Sequence, residues 1–325
     1  AASDVYKRQI HSTALGPATG GCRMWDYVAD EDALVDVLRL SRGMTYKNAM
    51  AGLPLGGGKA VIIGDAKKIK SEALFRKFGK FVHSLSGRYI SAEDVNITTG
   101  DIMMVNKETP YVAGLEGLSG NPGPFTALGT YRGVKAAAKH KFGSDNLNGL
   151  TVAVQGLGSV GFYLCEYLHK EGAKLIVTDI NQDAVSRAVA QFNATAVGLD
   201  EIYAVDADIY APCALGATIN DTTIAQLKCK IIAGCANNQL KESRHGELLR
   251  QKGILYAPDY VINAGGIINV AMEMREQGYN AEESTAKVNQ IYQTLITIFE
   301  RADAQQKPTN EVADLMAQEI IRNAR

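Results

Sequence analysis

The sequence predicts an α/β protein of two domains: an α/β domain and a Rossmann-like doubly wound parallel sheet, with an inter-domain cleft. First, 325 residues exceed what one core usually supports, and about 150 residues per domain predicts two domains. Second, strand-like runs alternate with helical stretches in the second half, which is typical of a parallel sheet. Third, strands and helices mix around the glycine-rich run 52–58 in the first half.

The run Asn121–Pro124 is predicted to separate the domains, because its two prolines and its glycine interrupt regular structure. We therefore predict a substrate (catalytic) domain over residues 1–122 and a dinucleotide-binding domain over residues 123–308. The last helix, 309–325, is expected to pack back on the first domain. The chain begins with neither Met nor a signal-peptide pattern, so we expect residues 1–9 to be foreign to the natural protein.

Individual elements follow from local patterns. The acidic residues Asp30 to Asp32 mark a helix start, where the helix dipole favours negative charge. Ser71 opens a second helix, whose apolar residues recur at helical spacing. Between the two helices, the breakers at 52–58 predict a loop. The predicted strands are 60–63, 88–91, 151–155, 174–178, 208–211, 230–234 and 254–257, and further helices are predicted at 159–170, 182–192, 288–299 and 312–321.

Composition and charge exclude several classes of function. The net charge is −1, from 34 basic and 35 acidic residues, so neither nucleic acid nor an anionic membrane is an expected partner. No apolar run reaches about 18 residues, the length that suggests a membrane span. The five cysteines are scattered, which fits reduced thiols and a cytoplasmic location. The five histidines show no metal-binding spacing, so no metal site is expected.

The second half carries a dinucleotide-binding pattern. The strand Thr151–Gln155 runs into the Gly-x-Gly-x-x-Gly turn, and the next strand ends in Asp179. The first glycine allows the tight turn, the second lets the backbone approach a pyrophosphate, and the third lets helix pack closely on strand. Asp179, at roughly the 20-residue spacing typical of such sites, would bind the ribose and favour NAD over NADP. The predicted cofactor-binding residues here are Gly156, Leu157, Gly158, Ser159, Val160, Gly161, Asp179 and Ile180.

An alternative interpretation is a glycine turn in an α/β domain that has lost its cofactor. The strand before the turn, the helix after it and the acid beyond favour the dinucleotide site, because the three features together are more specific than the glycines alone.

Two lysines in the first half are candidate reactive groups. Lys47 and Lys59 lie in stretches with few charges, and desolvation favours a neutral amine. One lysine could bind a carboxylate while the other transfers protons, or both could be surface lysines. The glycines 56–58 would leave space beside Lys59 for a substrate to approach the backbone. Asp94 could relay protons or could equally cap a helix.

Together these residues resemble the glutamate/leucine/phenylalanine/valine dehydrogenase family, and within it the leucine enzymes most closely. The resemblance runs from about Ile10 to the C-terminus and does not include the family's opening segment, so we expect an N-terminal truncation. It rests on the stretches 15–18 (LGPA), 42–49 (RGMTYKNA), 55–59 (LGGGK), 92–95 (AEDV), 156–161 (GLGSVG), 210–216 (YAPCALG), 236–239 (ANNQ) and 258–266 (PDYVINAGG).

The resemblance implies a homo-oligomer, from dimer to octamer, that uses NAD to oxidise an L-amino acid reversibly to its 2-oxo acid and ammonia. Lys59 corresponds to the family's catalytic lysine, which activates water, and Asp94 to its proton-shuttling aspartate. Lys47 corresponds to the lysine that binds the substrate carboxylate. The resemblance further implies that Gly20 and Gly21 line the substrate floor, that Met44 lies against the nicotinamide, and that Thr126, Ala214, Ala236, Asn237 and Asn263 contact the cofactor.

The side-chain pocket implied by the resemblance is apolar. Its positions Ala92, Ile267 and Val270 carry no charge, and Thr19 stands where the family's glutamate enzymes have Lys. We therefore expect a branched-chain substrate. Because one methylene in the pocket is worth only about 1–3 kcal/mol of discrimination between substrates, we expect leucine, valine and isoleucine all to be accepted. Two alternatives stay open. One is an aromatic (phenylalanine or tryptophan) enzyme with Thr19 making room for a ring, and the other is an NAD-binding but inactive truncated protein.

Overall fold

The computed structural model describes residues 6–115, 121–275 and 277–324. The chain divides into two compact units, which are described separately below. The first unit comprises Ala1–Gly120, Val270–Ala281 and Ala317–Arg325, and the second comprises Asn121–Asn269 and Glu282–Met316.

The first unit is built on a four-stranded sheet. Its strands are β1 (Tyr6–Ser12), β2 (Ala18–Trp25), β3 (Gly56–Ile63) and β4 (Tyr89–Ala92), in the order β1-β3-β2-β4. β2 pairs in parallel with β3 and with β4, whereas β1 pairs with β3 in the antiparallel direction. Residues 6–9 therefore belong to the sheet, while residues 1–5 of the expected foreign segment lie outside the described residues. The helices are α1 (Asp30–Met50), α2 (Ala66–Ile69), α3 (Glu72–His83) and α4 (Thr99–Asn106).

The helix starts follow the sequence signals. The acidic first turn of α1 lies at the positive end of the helix dipole. In α3, the Ser71 hydroxyl accepts the N–H of Leu74 and satisfies one free donor at the helix start. The apolar face of α3 buries Phe75, Phe78 and Val82 in the core of the unit. The two helices predicted in this half are therefore confirmed.

The loop predicted over residues 52–58 is wrong at its end, because Gly56–Gly58 form the buried start of β3. A Cβ at Gly57 would lie 2.1 Å from the backbone nitrogen of Thr45, and one at Gly58 would lie 2.8 Å from the Tyr89 ring. The missing side chains let a helix and a tyrosine pack directly on the strand. Protein atoms therefore fill the space that was expected to admit substrate.

The second unit is built on a six-stranded, all-parallel sheet. Its strands are β5 (Thr151–Gln155), β6 (Lys174–Thr178), β7 (Thr195–Ala196), β8 (Ile209–Pro212), β9 (Ile231–Ile232) and β10 (Leu255–Tyr256). The order is β10-β9-β8-β5-β6-β7, which is the doubly wound order of Rossmann sheets. The predicted α/β class with a Rossmann-like parallel sheet is therefore confirmed, although β9 and β10 are shorter than predicted and the two-residue β7 was not predicted.

The helices of this half are α5 (Gly123–Phe142), α6 (Ser159–Lys170), α7 (Gln182–Phe192), α8 (Asp221–Gln226), α9 (Arg244–Gln251), α10 (Asp259–Ile262), α11 (Gly265–Ala271), α12 (Ala281–Asn289), α13 (Ile291–Gln305) and α14 (Thr309–Asn323). The breaker run at 121–124 is the start of α5, with Pro124 in the first turn, where its missing N–H costs nothing. Near the end of α14, Gln318 donates to the Tyr46 hydroxyl at 3.0 Å within the first unit. Among the described helices, none is long and apolar enough to cross a membrane.

Candidate active site

A pair formed by a buried lysine and a half-buried aspartate lies in the first unit. Lys59, on β3, is only 5% exposed, and its Nζ lies 3.0 Å from Oδ2 of Asp94, which follows β4. The surface alternative for Lys59 is therefore wrong. The helix-cap alternative for Asp94 is wrong as well, because Thr98 caps α4. The pair can pass a proton between an amine and a carboxylate without solvent.

A second cation binds the same carboxylate. Arg23, on β2, places Nε 2.9 Å from Asp94 Oδ2 and Nη1 3.0 Å from Asp36 Oδ2. The Tyr27 hydroxyl donates to the same Asp36 oxygen at 2.6 Å. The expectation that Lys59 lies among few charges is therefore wrong. Sequence reasoning missed Arg23 and Asp36, although an arginine within an otherwise buried strand was a usable signal.

Opposing effects set the pKa of Asp94. Burial raises it, but the attraction and hydrogen bonds of Lys59 and Arg23 outweigh burial, so the pKa lies below its ordinary value. The neighbouring Cys22 thiol is fully buried, and this burial raises its pKa and keeps it neutral. Asp94 is therefore a carboxylate at neutral pH.

The two glycines of the predicted substrate floor lie beside this pair on β2. A Cβ at Gly21 would lie 2.9 Å from Cβ of Asp94, and one at Gly20 would lie 3.1 Å from Cγ of Met44. The Tyr89 hydroxyl donates to the Gly20 carbonyl at 2.7 Å and fixes that part of the strand. The structure thus brings Gly20, Gly21, Met44 and Asp94 together, and the absence of side chains at the two glycines permits this close approach.

The remaining predicted substrate residues occupy varied positions. Lys47 is half-buried in the last turn of α1, and Ala92 is half-buried at the end of β4, where it is the register partner of Gly21. Thr19 is fully buried on β2, and its hydroxyl donates to the Pro17 carbonyl at 3.4 Å. Ile267 and Val270, both half-buried, lie on α11 in the second and first units respectively.

In the second unit, the predicted cofactor residues gather at the carboxyl ends of the parallel strands, the usual ligand edge of such sheets. Gly156 has a φ of +100°, and a Cβ there would meet the Ala214 side chain at 2.7 Å. A Cβ at Gly161 would lie 2.0 Å from the Gly156 carbonyl oxygen, so this position packs α6 on the turn. Gly158 faces open space, since a Cβ there would have no heavy atom beyond its own neighbours within 4 Å. The open glycine lies at the start of α6, beside Ser159 and Val160, where free N–H groups favour an anion.

Asp179 and its neighbour end β6 beside this turn. Asp179 Oδ2 accepts the N–H of Leu157 at 2.5 Å, and Oδ1 accepts the N–H of Asn181 at 2.7 Å. The carboxylate therefore holds the glycine turn from the neighbouring strand. Ile180 exposes 84% of its surface, so it offers an apolar face to solvent or to a ligand.

A polar group near β9 and β10 has an unused acceptor. The Asn263 amide donates to Asn237 Oδ1 at 2.7 Å and to the Cys235 carbonyl at 3.1 Å, while its own buried Oδ1 has no hydrogen-bond partner. An orphaned buried oxygen costs about 1–3 kcal/mol unless a ligand donates to it. Ala236 is buried next to these groups, and the Thr126 hydroxyl donates to the Pro122 carbonyl at 3.0 Å. The open space at Gly158 and this free acceptor fit a dinucleotide.

One cluster of potential metal ligands occurs in the described part of the chain, at Asp221, Glu242 and His245. Arg244 binds both carboxylates, at 2.6 Å from Asp221 and 2.9 Å from Glu242. The guanidinium therefore already supplies the positive charge that the two acids attract.

An α/β unit with a buried lysine paired to an aspartate and a Rossmann-like unit with a glycine turn define the class of two-domain amino acid dehydrogenases. Residues 6–114 match the family described as Glu/Leu/Phe/Val dehydrogenase, dimerisation domain, and residues 177–324 match Glutamate/Leucine/Phenylalanine/Valine dehydrogenase. The chain belongs to this dehydrogenase family. The family resemblance read from the sequence is thereby confirmed.

Individual relatives are similar over nearly the whole chain. A leucine dehydrogenase of Geobacillus stearothermophilus is 59% identical over 319 residues, which cover 97% of this chain and 86% of the relative. The crystal structure of L-tryptophan dehydrogenase from Nostoc punctiforme superposes with a TM-score of 0.89 at 48% identity, covering 98% of this chain and 92% of that one. A hetero-hexameric glutamate dehydrogenase from Thermus thermophilus shares the fold, with a TM-score of 0.81 at 21% identity, covering 98% of this chain and 84% of that one.

Proposed function

We propose that this protein catalyses the NAD-dependent, reversible oxidative deamination of branched-chain L-amino acids, leucine with valine and isoleucine, to 2-oxo acids and ammonia. The observation that carries the proposal is the contact of buried Lys59 with Asp94, at 3.0 Å, in a chain of this dehydrogenase family. The 59% identity to a leucine dehydrogenase, over 97% of this chain, supports the substrate class.

The first unit is the proposed substrate domain and the second the proposed NAD-binding domain. Lys47 binds the substrate carboxylate, and Gly20 and Gly21 form the floor on which the substrate lies. Lys59 removes and returns protons and activates the water that attacks the imine. Asp94 exchanges protons with Lys59, since its oxygen lies within hydrogen-bond distance of Nζ. NAD supplies the acceptor for the hydride.

The proposed cofactor site lies at the carboxyl edge of the second sheet. The start of α6 at Gly158 binds the pyrophosphate, because the glycine faces open space and a helix N-terminus favours an anion. Asp179 accepts from the ribose hydroxyls and repels the additional phosphate of NADP. The unpaired Asn263 Oδ1 accepts from the carboxamide N–H of the nicotinamide end, and Ala214, Ala236, Asn237 and Thr126 border the cofactor.

Assembly and location belong to the proposal too. We propose a cytoplasmic homo-oligomer, because residues 6–114 match a family segment described as a dimerisation domain and all five cysteines are free thiols.

An aromatic substrate is the second candidate, favoured by the structural match to L-tryptophan dehydrogenase from Nostoc punctiforme. In sequence alignment, however, L-tryptophan dehydrogenase from Nostoc punctiforme is 50% identical over 317 residues, against 59% over 319 residues for the leucine dehydrogenase. The apolar residues predicted to contact the substrate side chain, Ala92, Ile267 and Val270, suit a branched aliphatic chain. One methylene in such a site is worth about 1–3 kcal/mol of discrimination between two substrates.

The test is a spectrophotometric assay of NADH formation with L-leucine, L-valine, L-isoleucine, L-phenylalanine, L-tryptophan and L-glutamate. We expect kcat/KM to be highest for leucine, with valine and isoleucine close behind. A highest value for phenylalanine or tryptophan would support the aromatic candidate, and turnover of glutamate alone would contradict both.

A further inference from the structure

One carboxylate oxygen in the first unit receives two cations. Lys59 Nζ and Arg23 Nε both bind Oδ2 of Asp94, at 3.0 and 2.9 Å. Within the described ranges 6–115, 121–275 and 277–324, no donor contacts Oδ1 of this carboxylate. The two oxygens of Asp94 are therefore in different environments.

We propose that Arg23 is a positioning residue for Asp94, which it orients so that Oδ1 is the oxygen presented for proton exchange with substrate or water. The inference rests on the proposed dehydrogenase function and adds to it a residue outside the Lys59–Asp94 pair.

The geometry of Arg23 suits this role. Its guanidinium spans two carboxylates, with Nε on Asp94 after β4 and Nη1 on Asp36 of α1. The Tyr27 hydroxyl donates to the same Asp36 oxygen at 2.6 Å, so Asp36 is itself held in place by a second hydrogen bond. Because the fork is planar and rigid, fixing Nη1 also fixes the direction of Nε. A lysine, with one point charge on a flexible stem, could not bind both acids in this way.

Charge gives a second argument. The proposed chemistry requires Lys59 to lose and regain its proton, and its attraction for Asp94 is lost whenever it is neutral. Arginine stays protonated in proteins, so Arg23 keeps one positive charge beside Asp94 throughout the cycle. The groups that face Asp94 are Lys59, Arg23 and the neutral Cys22 thiol, with Asp36 behind Arg23. Without Arg23, burial would favour the protonated acid whenever Lys59 is neutral.

The main test is Arg23→Gln in the full chain, compared with Arg23→Lys and with a matched control, Arg76→Gln. The control removes a second arginine–carboxylate pair of the same unit, Arg76–Glu108 at 2.6 Å, which is half-exposed and whose arginine forms its ion pairs with Glu108 and Glu72 and not with Asp94. We expect Arg23→Gln to lower kcat on the order of 10- to 100-fold, because a misplaced catalytic group loses much of its effect. The acid limb of its pH–rate profile should move to higher pH, because loss of a neighbouring cation raises the pKa of Asp94.

Arg23→Lys should keep the position of the acid limb, because it keeps the charge, but should still lose part of kcat, because it cannot span both acids. Arg76→Gln should leave both kcat and the acid limb of the pH–rate profile unchanged. If Arg23→Gln folds with the wild-type pH–rate profile and kcat, or loses only thermal stability, the positioning role is overturned.

A measurement without turnover separates this inference from the proposed function. The carbon-13 carboxyl signal of Asp94, assigned with Asp94→Asn, can be titrated in the wild type and in Arg23→Gln. We expect a higher Asp94 pKa in Arg23→Gln, because the attraction of the Arg23 guanidinium for the carboxylate is lost. If no amino acid is oxidised, the proposed function fails while this titration still tests the contact. If the wild type is active and the two titrations coincide, only the role of Arg23 fails.

Discussion

Asp179 Oδ2 accepts the backbone N–H of Leu157 at 2.5 Å, so the acid that ends β6 holds the glycine turn that follows β5. A single carboxylate thereby fixes the shape of the turn and places negative charge where the cofactor ribose is proposed to bind. Both consequences can be tested at this position.

Asp179→Ala should narrow the preference for NAD over NADP. The carboxylate repels the additional phosphate, and a charge pair near 4 Å at an effective dielectric of about 20 is worth about 4 kcal/mol. We expect the ratio of kcat/KM for NAD to kcat/KM for NADP to fall at least about tenfold. A change of this size needs only a modest fraction of that repulsion energy. Asp183→Ala removes another acid just beyond, in the first turn of α7, and should leave the ratio unchanged. Comparable kcat/KM for NAD and NADP in the wild type would contradict the assignment.

Gly57 and Gly158 should respond differently to alanine. A Cβ at Gly57 would lie 2.1 Å from the Thr45 nitrogen, whereas Gly158 faces open space. Gly57→Ala should lower the free energy of unfolding by about 1–3 kcal/mol, the usual cost of overpacking. Gly158→Ala should keep its stability but bind NADH more weakly, because the methyl group occupies the proposed pyrophosphate site. Urea denaturation and NADH titration of both variants check this, and equal stability losses would refute the distinction.

Lys47→Ala should chiefly raise KM for the amino acid. The proposed carboxylate contact is present in both the ground state and the transition state, so its loss weakens binding more than it slows the chemistry. Steady-state kinetics at saturating NAD give KM and kcat separately. Lys67→Ala, in the exposed helix α2, is the matched control. A fall in kcat with unchanged KM would mean that Lys47 has a different role.

Much of the second unit could be predicted from the sequence because its signals are local. The strand, glycine turn, helix and acid from Thr151 to Asp179 lie in one continuous segment. The first unit was harder, since Arg23, Asp36, Lys59 and Asp94 come from β2, α1, β3 and the segment after β4, and no spacing rule links them. The glycines 56–58 predict a loop from their local pattern. Their lack of side chains in fact allows close packing against Thr45 and Tyr89, which are distant in sequence. Short strands such as β9 are fixed by their neighbours in the sheet and not by their own residues.

Asp94 should make stability depend on pH at the acidic end. Although burial raises its pKa, Lys59 and Arg23 lower it to below the ordinary value, so the ionised pair contributes stability above the unfolded pKa of about 3.9. This contribution is lost as the pH falls through the folded pKa. The difference in unfolding free energy between wild type and Asp94→Asn should therefore shrink below about pH 4. Urea denaturation over that pH range measures the difference, and a constant difference would show that Asp94 is not held as a carboxylate.

The most direct test of the central claim is Lys59→Ala, assayed for oxidation of L-leucine by NAD alongside NADH binding. Because Lys59 is proposed to transfer protons, its removal should reduce kcat at least about 100-fold, the usual contribution of general acid–base catalysis. NADH binding should be retained, since the proposed cofactor site lies on the second sheet. If Lys59→Ala keeps more than about a tenth of the wild-type rate, which that contribution does not allow, the Lys59–Asp94 pair does not carry the chemistry.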